Sequence, residues 1–231
     1  MIITKGGAFM AEAPIKFISE LHKSIDTALI DKSIHSSSVL RPQFLSNDYK
    51  GGRKVLSAIE DELITCDEFC ISVAFITMGG IAPLLQTFKE LELKGVRGKI
   101  LTTDYLTFSD PKALKKLAEL SNIELRMFCT EETDEGFHTK GYIFRNDETY
   151  RLIIGSSNMT LNALTKNKEW NTRIISTNQG EFADDVLKEF HELWNSTHTY
   201  TFSEQLRHDD HPTHSYNCWF PLYQYAQQQK L

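Results

Sequence analysis

The sequence predicts an α/β domain in which a mixed β-sheet carries helices on both faces. Between residues 54 and 128, segments with the spacing of an amphipathic helix alternate with short apolar runs typical of buried strands. Two further apolar runs then follow each other with only a polar turn between them, which is the pattern of an antiparallel hairpin. Alternation favours parallel strands and a hairpin adds antiparallel ones, so the sheet is expected to be mixed.

The first half of the predicted domain alternates strictly between helices and strands. Residues 54–65 place Val55, Ile59 and Leu63 on one helical face. Asp110 and Pro111 supply a cap and a first-turn proline for a later helix. The predicted order is helix 54–65, strand 70–76, helix 81–93, strand 98–104, helix 111–120 and strand 123–128. This order favours right-handed crossovers between parallel strands.

The alternation ends after residue 128. Two short apolar strands are predicted at 138–144 and 150–154, and the polar turn between them makes them an antiparallel hairpin. A short helix is predicted around 160–164, then a strand at 169–176 and a helix at 181–194.

The two ends of the chain lack these alternating helix and strand patterns. We interpret residues 1–46 as an N-terminal arm with a short amphipathic stretch at 15–30, residues 47–200 as the domain, and residues 201–231 as a C-terminal tail. The tail contains His208, His211 and His214, a composition that resembles a loose metal-binding tract, but a polar tail is the favoured interpretation.

Composition excludes several functional classes. Of 231 residues, 31 are acidic and 25 basic, a net charge of −6, which argues against coating nucleic acid by bulk positive charge. No apolar run approaches the roughly 18 residues of a membrane span, and the N-terminus lacks the apolar stretch of a signal peptide. We therefore expect a cytoplasmic protein without a membrane partner. The four cysteines lack CxxC spacing, so neither a disulfide scaffold nor a structural zinc site is expected.

One stretch of the second half concentrates chemically useful side chains. His138 and Lys140 are two residues apart on a predicted strand, so both point to the same face. The hairpin delivers Ser156 and Asn158 near the end of the neighbouring strand, and Glu169 begins the next one. Taken singly, each residue has an ordinary structural explanation. Together they form a phosphate site, in which Glu169 holds the imidazole Nδ1–H and leaves Nε2 free to attack.

The spacing of these residues resembles the phospholipase D superfamily, whose signature is HxK followed by GSxN. Here the signature occurs as His138-Thr139-Lys140 and as Gly155-Ser156-Ser157-Asn158. The stretch 158–171 resembles the nuclease branch, and 138–158 is similar to metal-independent restriction endonucleases. Over roughly residues 44–200 the chain also resembles the phospholipase D-like domain at the N-terminus of bacterial superfamily II helicases. One departure is Arg145, where the full signature has an aspartate, although Asp147 is close by.

The resemblance implies a mechanism that needs no metal and no cofactor and that is shared between two subunits. In this family one histidine forms a phosphohistidine while a second protonates the leaving group. This chain has one HxK motif, so the resemblance implies a homodimer in which His138 from each subunit meets at one site. Lys140 and Asn158 are then expected to bind phosphoryl oxygens, Ser156 to support them, and Glu169 to orient each imidazole.

The expected substrate is DNA. Lys166 and Lys168 lie near the predicted mouth of the site, and Gly155 and Ser157 are further expected substrate-binding residues. Further basic candidates are Lys112, Lys115, Lys116 and Arg173, and for the three lysines a solvated helix face is the favoured interpretation.

Two alternatives remain open. One is a phospholipase D that hydrolyses phospholipid, which the lack of an amphipathic interfacial helix disfavours. The other is a non-catalytic nucleic-acid-binding module associated with a helicase motor, to which Arg145 gives some weight. This sequence contains no GxxxxGK[ST] motif, so it does not include the motor itself. The motor would be a fused domain or a separate protein.

Overall fold

The computed structural model describes residues 12–25, 40–48 and 50–202, and the chain divides into two compact units, 1–43 and 44–231. In the first unit, helix α1 spans Glu12–Ile25. This helix covers the first part of the amphipathic stretch predicted at 15–30. Residues 26–30 and the histidine-containing tail from 203 onward lie outside the described residues.

Among its described residues, the second unit contains one sheet and six further α-helices. The strands are β1 (Gln43–Leu45, the first residue of which belongs to the first unit), β2 (Glu68–Val73), β3 (Arg97–Thr103), β4 (Ile123–Phe128), β5 (Lys140–Asn146), β6 (Thr149–Gly155), β7 (Asn171–Thr177) and β8 (Thr199–Thr201). The helices are α2 (Val55–Thr65), α3 (Met78–Ile81), α4 (Leu85–Lys94), α5 (Pro111–Ala118), α6 (Leu161–Thr165) and α7 (Glu181–Trp194).

The sheet is mixed, as predicted. Its strand order is β1-β7-β6-β5-β2-β3-β4-β8. Strands β2, β3 and β4 run parallel, whereas β5 is antiparallel to β2 and forms antiparallel pairs onward through β6 and β7. The predicted hairpin is therefore confirmed and lies in the middle of the sheet. It places the β5–β6 turn at one end of the sheet and the start of β5, with the end of β6, at the other.

Helices cover both faces of the sheet, because alternate residues of the central strand point to opposite sides. In β2, Phe69 and Ile71 belong to the core cluster that contains the buried faces of α2, α4, α5 and α6. Cys70 belongs instead to the second cluster, which α7 closes with Phe190 and Trp194. Burial raises the pKa of the Cys70 thiol to about 12, which keeps it protonated. No helix in the described part of the chain is long and apolar enough to cross a membrane.

The structure differs from the sequence prediction at the strand ends. The three-residue strands β1 and β8 were not predicted, because segments this short have no periodic signal and form only against an existing edge. Strands β5 and β7 each begin two residues later than predicted, so His138 and Glu169 precede their strands. Strand β2 ends at Val73, and Ile76 forms an isolated bridge with Met159.

Candidate active site

The predicted site residues meet at one end of the central strands. Lys140, the first residue of β5, pairs with Val73, the last residue of β2. Gly155, the last residue of β6, pairs with Asn171, the first residue of β7. The chain between β6 and β7 thus starts and finishes at the edge where His138 precedes β5. The HxK motif, the GSSN motif and Glu169 are brought to this edge.

The imidazole and the ammonium of the HxK motif contact each other directly. Lys140 Nζ lies 2.9 Å from His138 Nδ1 and donates to the His138 carbonyl oxygen at 2.7 Å. Lys140 is buried and His138 is exposed. Burial lowers the pKa of the Lys140 amine, while the negative charge of Glu169 opposes this shift. A protonated amine can only donate, so Nδ1 accepts here and a neutral imidazole carries its proton on Nε2.

Glu169 has a different partner from the predicted one. Ser156 Oγ donates a short hydrogen bond to Glu169 Oε2, and Asn167 Nδ2 donates to Oε1 at 3.4 Å. The backbone N–H of Trp170 donates to Ser156 Oγ at 3.0 Å. Among the described contacts, His138 Nδ1 is reached by Lys140 and not by Glu169, because Glu169 lies in the turn before β7 and is held there by Ser156.

Asn158 is oriented by the backbone. Its Oδ1 accepts a hydrogen bond from the Phe75 N–H at 3.1 Å. Since the oxygen is fixed in this way, the two N–H donors of Nδ2 face away from that strand. The Met159 N–H in turn donates to the Phe75 carbonyl at 3.1 Å. The extension of β2 beyond Val73 therefore holds the GSSN loop in place.

Ser157 belongs to the frame of the site. It is fully buried, and its N–H donates to Asn171 Oδ1 at 3.3 Å while Asn171 Nδ2 donates to its Oγ at 2.9 Å. The Tyr142 hydroxyl donates to its carbonyl at 3.0 Å. Direct substrate binding, predicted from the sequence, does not fit a side chain without exposed surface. The sequence did not predict a role for Asn171 or Tyr142, although Asn171 is the last residue of the stretch 158–171 that resembles the nuclease branch.

Gly155 has a packing role. A Cβ atom there would lie 2.2 Å from the Trp170 carbonyl oxygen, much closer than side chains approach backbone. The absence of a side chain lets the β6 end and the start of β7 come together, with the Ser156 N–H donating to the Trp170 carbonyl at 3.1 Å. Substrate contact by Gly155 remains a prediction.

The basic candidates fall into two groups. Lys166 and Lys168 are exposed on the turn before Glu169, and Lys168 Nζ donates to the Asn47 carbonyl at 3.3 Å. Arg173, by contrast, is bound to buried Glu62 at 3.0 Å and its side chain is only 15 % exposed. Arg173 is therefore a structural residue and does not offer its charge to a substrate.

The departure at Arg145 lies far from this edge. In the β2–β5 register Lys140 is opposite the last residue of β2, whereas Arg145 is opposite Glu68, the first. Five residues of strand separate the two positions by about 17 Å. Arg145 Nε lies 3.8 Å from Glu68 Oε2. The missing aspartate therefore leaves the groups around His138 intact.

A protein-family model described as "Cardiolipin synthase, PLD-like domain" matches residues 67–194, more than half of the chain. The chain belongs to this phospholipase D-like family. The superfamily predicted from the HxK and GSxN motifs, and with it the phosphodiesterase class of enzyme, is confirmed.

Several solved structures share the fold. NucT from Helicobacter pylori is 15 % identical with a TM-score of 0.54, covering 70 % of this chain and 99 % of its own. The phospholipase D family member Nuc from Salmonella typhimurium is 19 % identical with a TM-score of 0.53, covering 71 % and 100 %. Phosphatidylserine synthase from Haemophilus influenzae is 16 % identical with a TM-score of 0.54, covering 89 % and 51 %. No curated protein matches the sequence.

Proposed function

We propose that the protein is a metal-independent nuclease that cleaves DNA through a phosphohistidine at a site shared by two subunits. The observation that carries this proposal is the exposed imidazole of His138 beside the buried amine of Lys140, with the amide of Asn158 at the same sheet edge. These groups supply a nucleophile, a cation and a neutral donor for one phosphodiester. The nuclease names of two structural neighbours, Nuc and NucT, are in keeping with it.

The reaction needs two imidazoles in opposite protonation states. Nε2 of one His138 attacks phosphorus while the bond to the leaving oxygen breaks, and that oxygen takes a proton from Nε2 of the partner's His138. Water then attacks phosphorus, the P–N bond breaks, and the partner's His138 accepts the proton of the water. The proton donor must be an imidazolium, which carries protons on both Nδ1 and Nε2, so the Nδ1 that lies beside Lys140 has to gain a proton before His138 can act as the acid. The attacking role requires Lys140 to turn toward the phosphoryl oxygens and Nδ1–H to find an acceptor, for which we propose Glu169.

An apolar rim beside His138 supports the dimer. Tyr105, Leu106 and Phe108 follow β3 and are 44 %, 58 % and 58 % exposed. The Phe108 ring contacts Phe75 edge-on at 5.1 Å between centroids, and Phe75 contacts His138 in the same manner at 6.2 Å. Large exposed apolar residues in one place mark a surface that a partner covers. Leu106 also has a φ of 53°, a left-handed conformation that a leucine rarely adopts and that is typical of functional loops.

The activity is tested with labelled single- and double-stranded DNA in excess EDTA. We expect the wild type to cleave and His138→Ala to lose roughly a thousandfold or more of the rate, since it removes both nucleophile and acid. His191→Ala, on the exposed side of α7, is the matched control and should cleave normally. The rate should follow a bell-shaped pH profile. Strict dependence on Mg²⁺, or equal rates for both variants, would contradict the mechanism.

The dimer is tested by light scattering. Phe108→Glu should shift the wild-type mass from two chains to one and abolish cleavage, because the second imidazole is lost. Leu93→Glu changes an apolar residue that is 88 % exposed on α4 and should alter neither property. A wild type that cleaves DNA as a single chain would refute the shared site.

Phospholipid is a second candidate substrate, favoured by the lipid-enzyme description of the matching family model. A phosphatidylcholine assay beside the DNA assay separates the two, and turnover of lipid alone would replace the nuclease proposal. Association with a helicase motor and the cytoplasmic location remain predictions from the sequence.

A further inference from the structure

A cavity of about 670 Å³ lies beside the candidate active site, within the second unit. Its walls are the segments 44–48 and 52–57, and Lys168 borders it. Lys168 and Trp170 flank Glu169 in the sequence. The Trp170 N–H donates to Ser156 Oγ, and the Ser156 N–H donates to the Trp170 carbonyl. We call the cavity together with Trp170 the side groove. Through Trp170 it reaches Ser156 of the GSSN motif.

The side groove carries an exposed aromatic pair. Phe44 is 65 % exposed and Trp170 is 73 % exposed, and their rings meet edge-on with centroids 5.8 Å apart. Trp194, in contrast, is 3 % exposed in the core under α7. An indole that keeps most of its surface in water has a face available for a planar ligand. Nucleobases are planar and stack on such faces whatever their identity.

The groove is also locally basic, despite the net charge of the chain. Arg53, Lys54 and Lys168 line it, against one carboxylate, that of Asp48. Asp48 is already bound by the Gly51 N–H at 3.1 Å and by Arg53 at 3.2 Å, and these contacts hold its pKa below the usual range. The Arg53 side chain is still 79 % exposed.

Lys54 is the cation that is least engaged. It is exposed at the N-cap position of α2, and no described residue accepts a hydrogen bond from its amine. The first N–H of the helix, that of Val55, is bonded to Asn47 Oδ1 at 2.9 Å. The positive end of the helix therefore adds to the charge of Lys54, and the first turn of the helix contains no acidic residue.

We propose that the side groove binds the single-stranded nucleic acid that flanks the scissile phosphate, with a base stacked on Trp170 and phosphates on Arg53 and Lys54. This inference rests on the proposed nuclease function and specifies the form of its substrate. Bases within a duplex are covered by their neighbours, so stacking on an exposed indole requires an unpaired strand. The short path from Ser156 to Trp170 places the first unpaired base next to the cleaved bond.

Binding is measured by fluorescence anisotropy of a labelled oligothymidylate and of a duplex of equal length, in EDTA. Trp170→Ala should weaken binding of the single strand by roughly tenfold or more, as loss of one stacked base does. Trp170→Phe should keep part of it. Phe182→Ala removes an exposed aromatic on α7 and serves as the matched control with wild-type affinity.

The phosphate contacts are read from the salt dependence. Arg53→Ala and Lys54→Ala should each reduce the slope of log affinity against log salt by about 0.7, the value for one phosphate of a single strand. Lys188→Ala, an exposed cation on α7, should leave the slope unchanged. Trp170→Ala with the affinity of Phe182→Ala, or duplex bound as tightly as single strand, would overturn the inference.

Hydrolysis of bis(p-nitrophenyl) phosphate separates this inference from the proposed function. Wild type and His138→Ala report the chemistry on a diester too small to span the groove. If wild type hydrolyses it and Trp170→Ala binds oligothymidylate normally, the groove inference alone fails. If the diester is untouched while binding depends on Trp170, the proposed nuclease fails and the groove stands as a nucleic-acid site.

Discussion

Two clusters of charged side chains lie on the same sheet, and they differ in how completely their groups are paired. In the first, which we call the Glu62 cluster, the carboxylate of Glu62 is 2 % exposed and binds Arg151 at 3.2 Å and Arg173 at 3.0 Å. In the second, at the HxK edge, the imidazole of His138 is exposed, and no described residue accepts a hydrogen bond from Asn158 Nδ2. The paired charges of the Glu62 cluster hold α2 against β6 and β7. The groups at the HxK edge keep unused hydrogen-bond donors and acceptors and are therefore available for chemistry.

The strongest test of this comparison is to break the Glu62 cluster. Glu62→Ala leaves two guanidinium groups partly buried without their carboxylate, and we expect unfolding to become easier by about 3–5 kcal/mol. Glu189→Ala, an exposed acid on α7, should change the free energy of unfolding by less than about 0.5 kcal/mol.

The measurement is urea unfolding of both variants, with hydrolysis of the small diester recorded at low temperature where both are folded. Glu62→Ala should keep its turnover, because Glu62 contacts no residue of the HxK edge. A loss of stability below about 1 kcal/mol would show that the buried cluster contributes little, as some buried ion pairs do.

A smaller loss of stability is expected when the hydrogen bonds between Asn171 and Ser157 are removed. Asn171→Ala removes the acceptor for the Ser157 N–H and the donor to its hydroxyl, both buried. Unsatisfied groups of this kind cost about 1–3 kcal/mol, so stability should fall by that amount. Turnover should fall as well, because Ser157 precedes Asn158 in the GSSN loop and its hydrogen bonds with Asn171 fix that part of the loop.

Asn178→Ala, in the turn after β7, is the control for a lost side-chain amide and should affect neither quantity. Thermal melting and diester turnover of the two variants are compared side by side. Reduced stability with normal turnover would mean that Asn158 is positioned by the Phe75 backbone alone.

The sequence predicted most of this architecture but not its finest contacts. The helix at 181–194 and the central hairpin have strong periodicity and were found with their correct type. The convergence of the two motifs was also expected. The partner of His138 Nδ1 was not, because a shift of two residues at the start of β5 decides which side chain reaches it. The pairing of Phe44 with Trp170 depends on a contact between segments more than a hundred residues apart, for which the sequence carries no local signal.

The smallest expected effect is on the pH dependence of stability, and it comes from the burial of Lys140 at the HxK edge. Because burial lowers the pKa of Lys140, the folded protein disfavours its ammonium, and the unfolded chain binds more protons between the lowered pKa and the ordinary value of about 10.4. Stability from this group therefore rises with pH across that window. Lys140→Met, which has no charge to bury, should be more stable relative to wild type at pH 7 than at pH 10, and inactive at both.

Urea unfolding of wild type and Lys140→Met across this pH range shows whether the stability difference between them falls or rises with pH. Lys188→Met is the exposed-lysine control. A relative advantage of Lys140→Met that shrinks as pH rises would mean that the HxK edge keeps its charge at the expense of stability, the reverse of the Glu62 cluster. An advantage that grows with pH would mean that the hydrogen bonds to His138 outweigh the burial of Lys140, and that the two clusters differ in exposure but not in their effect on stability.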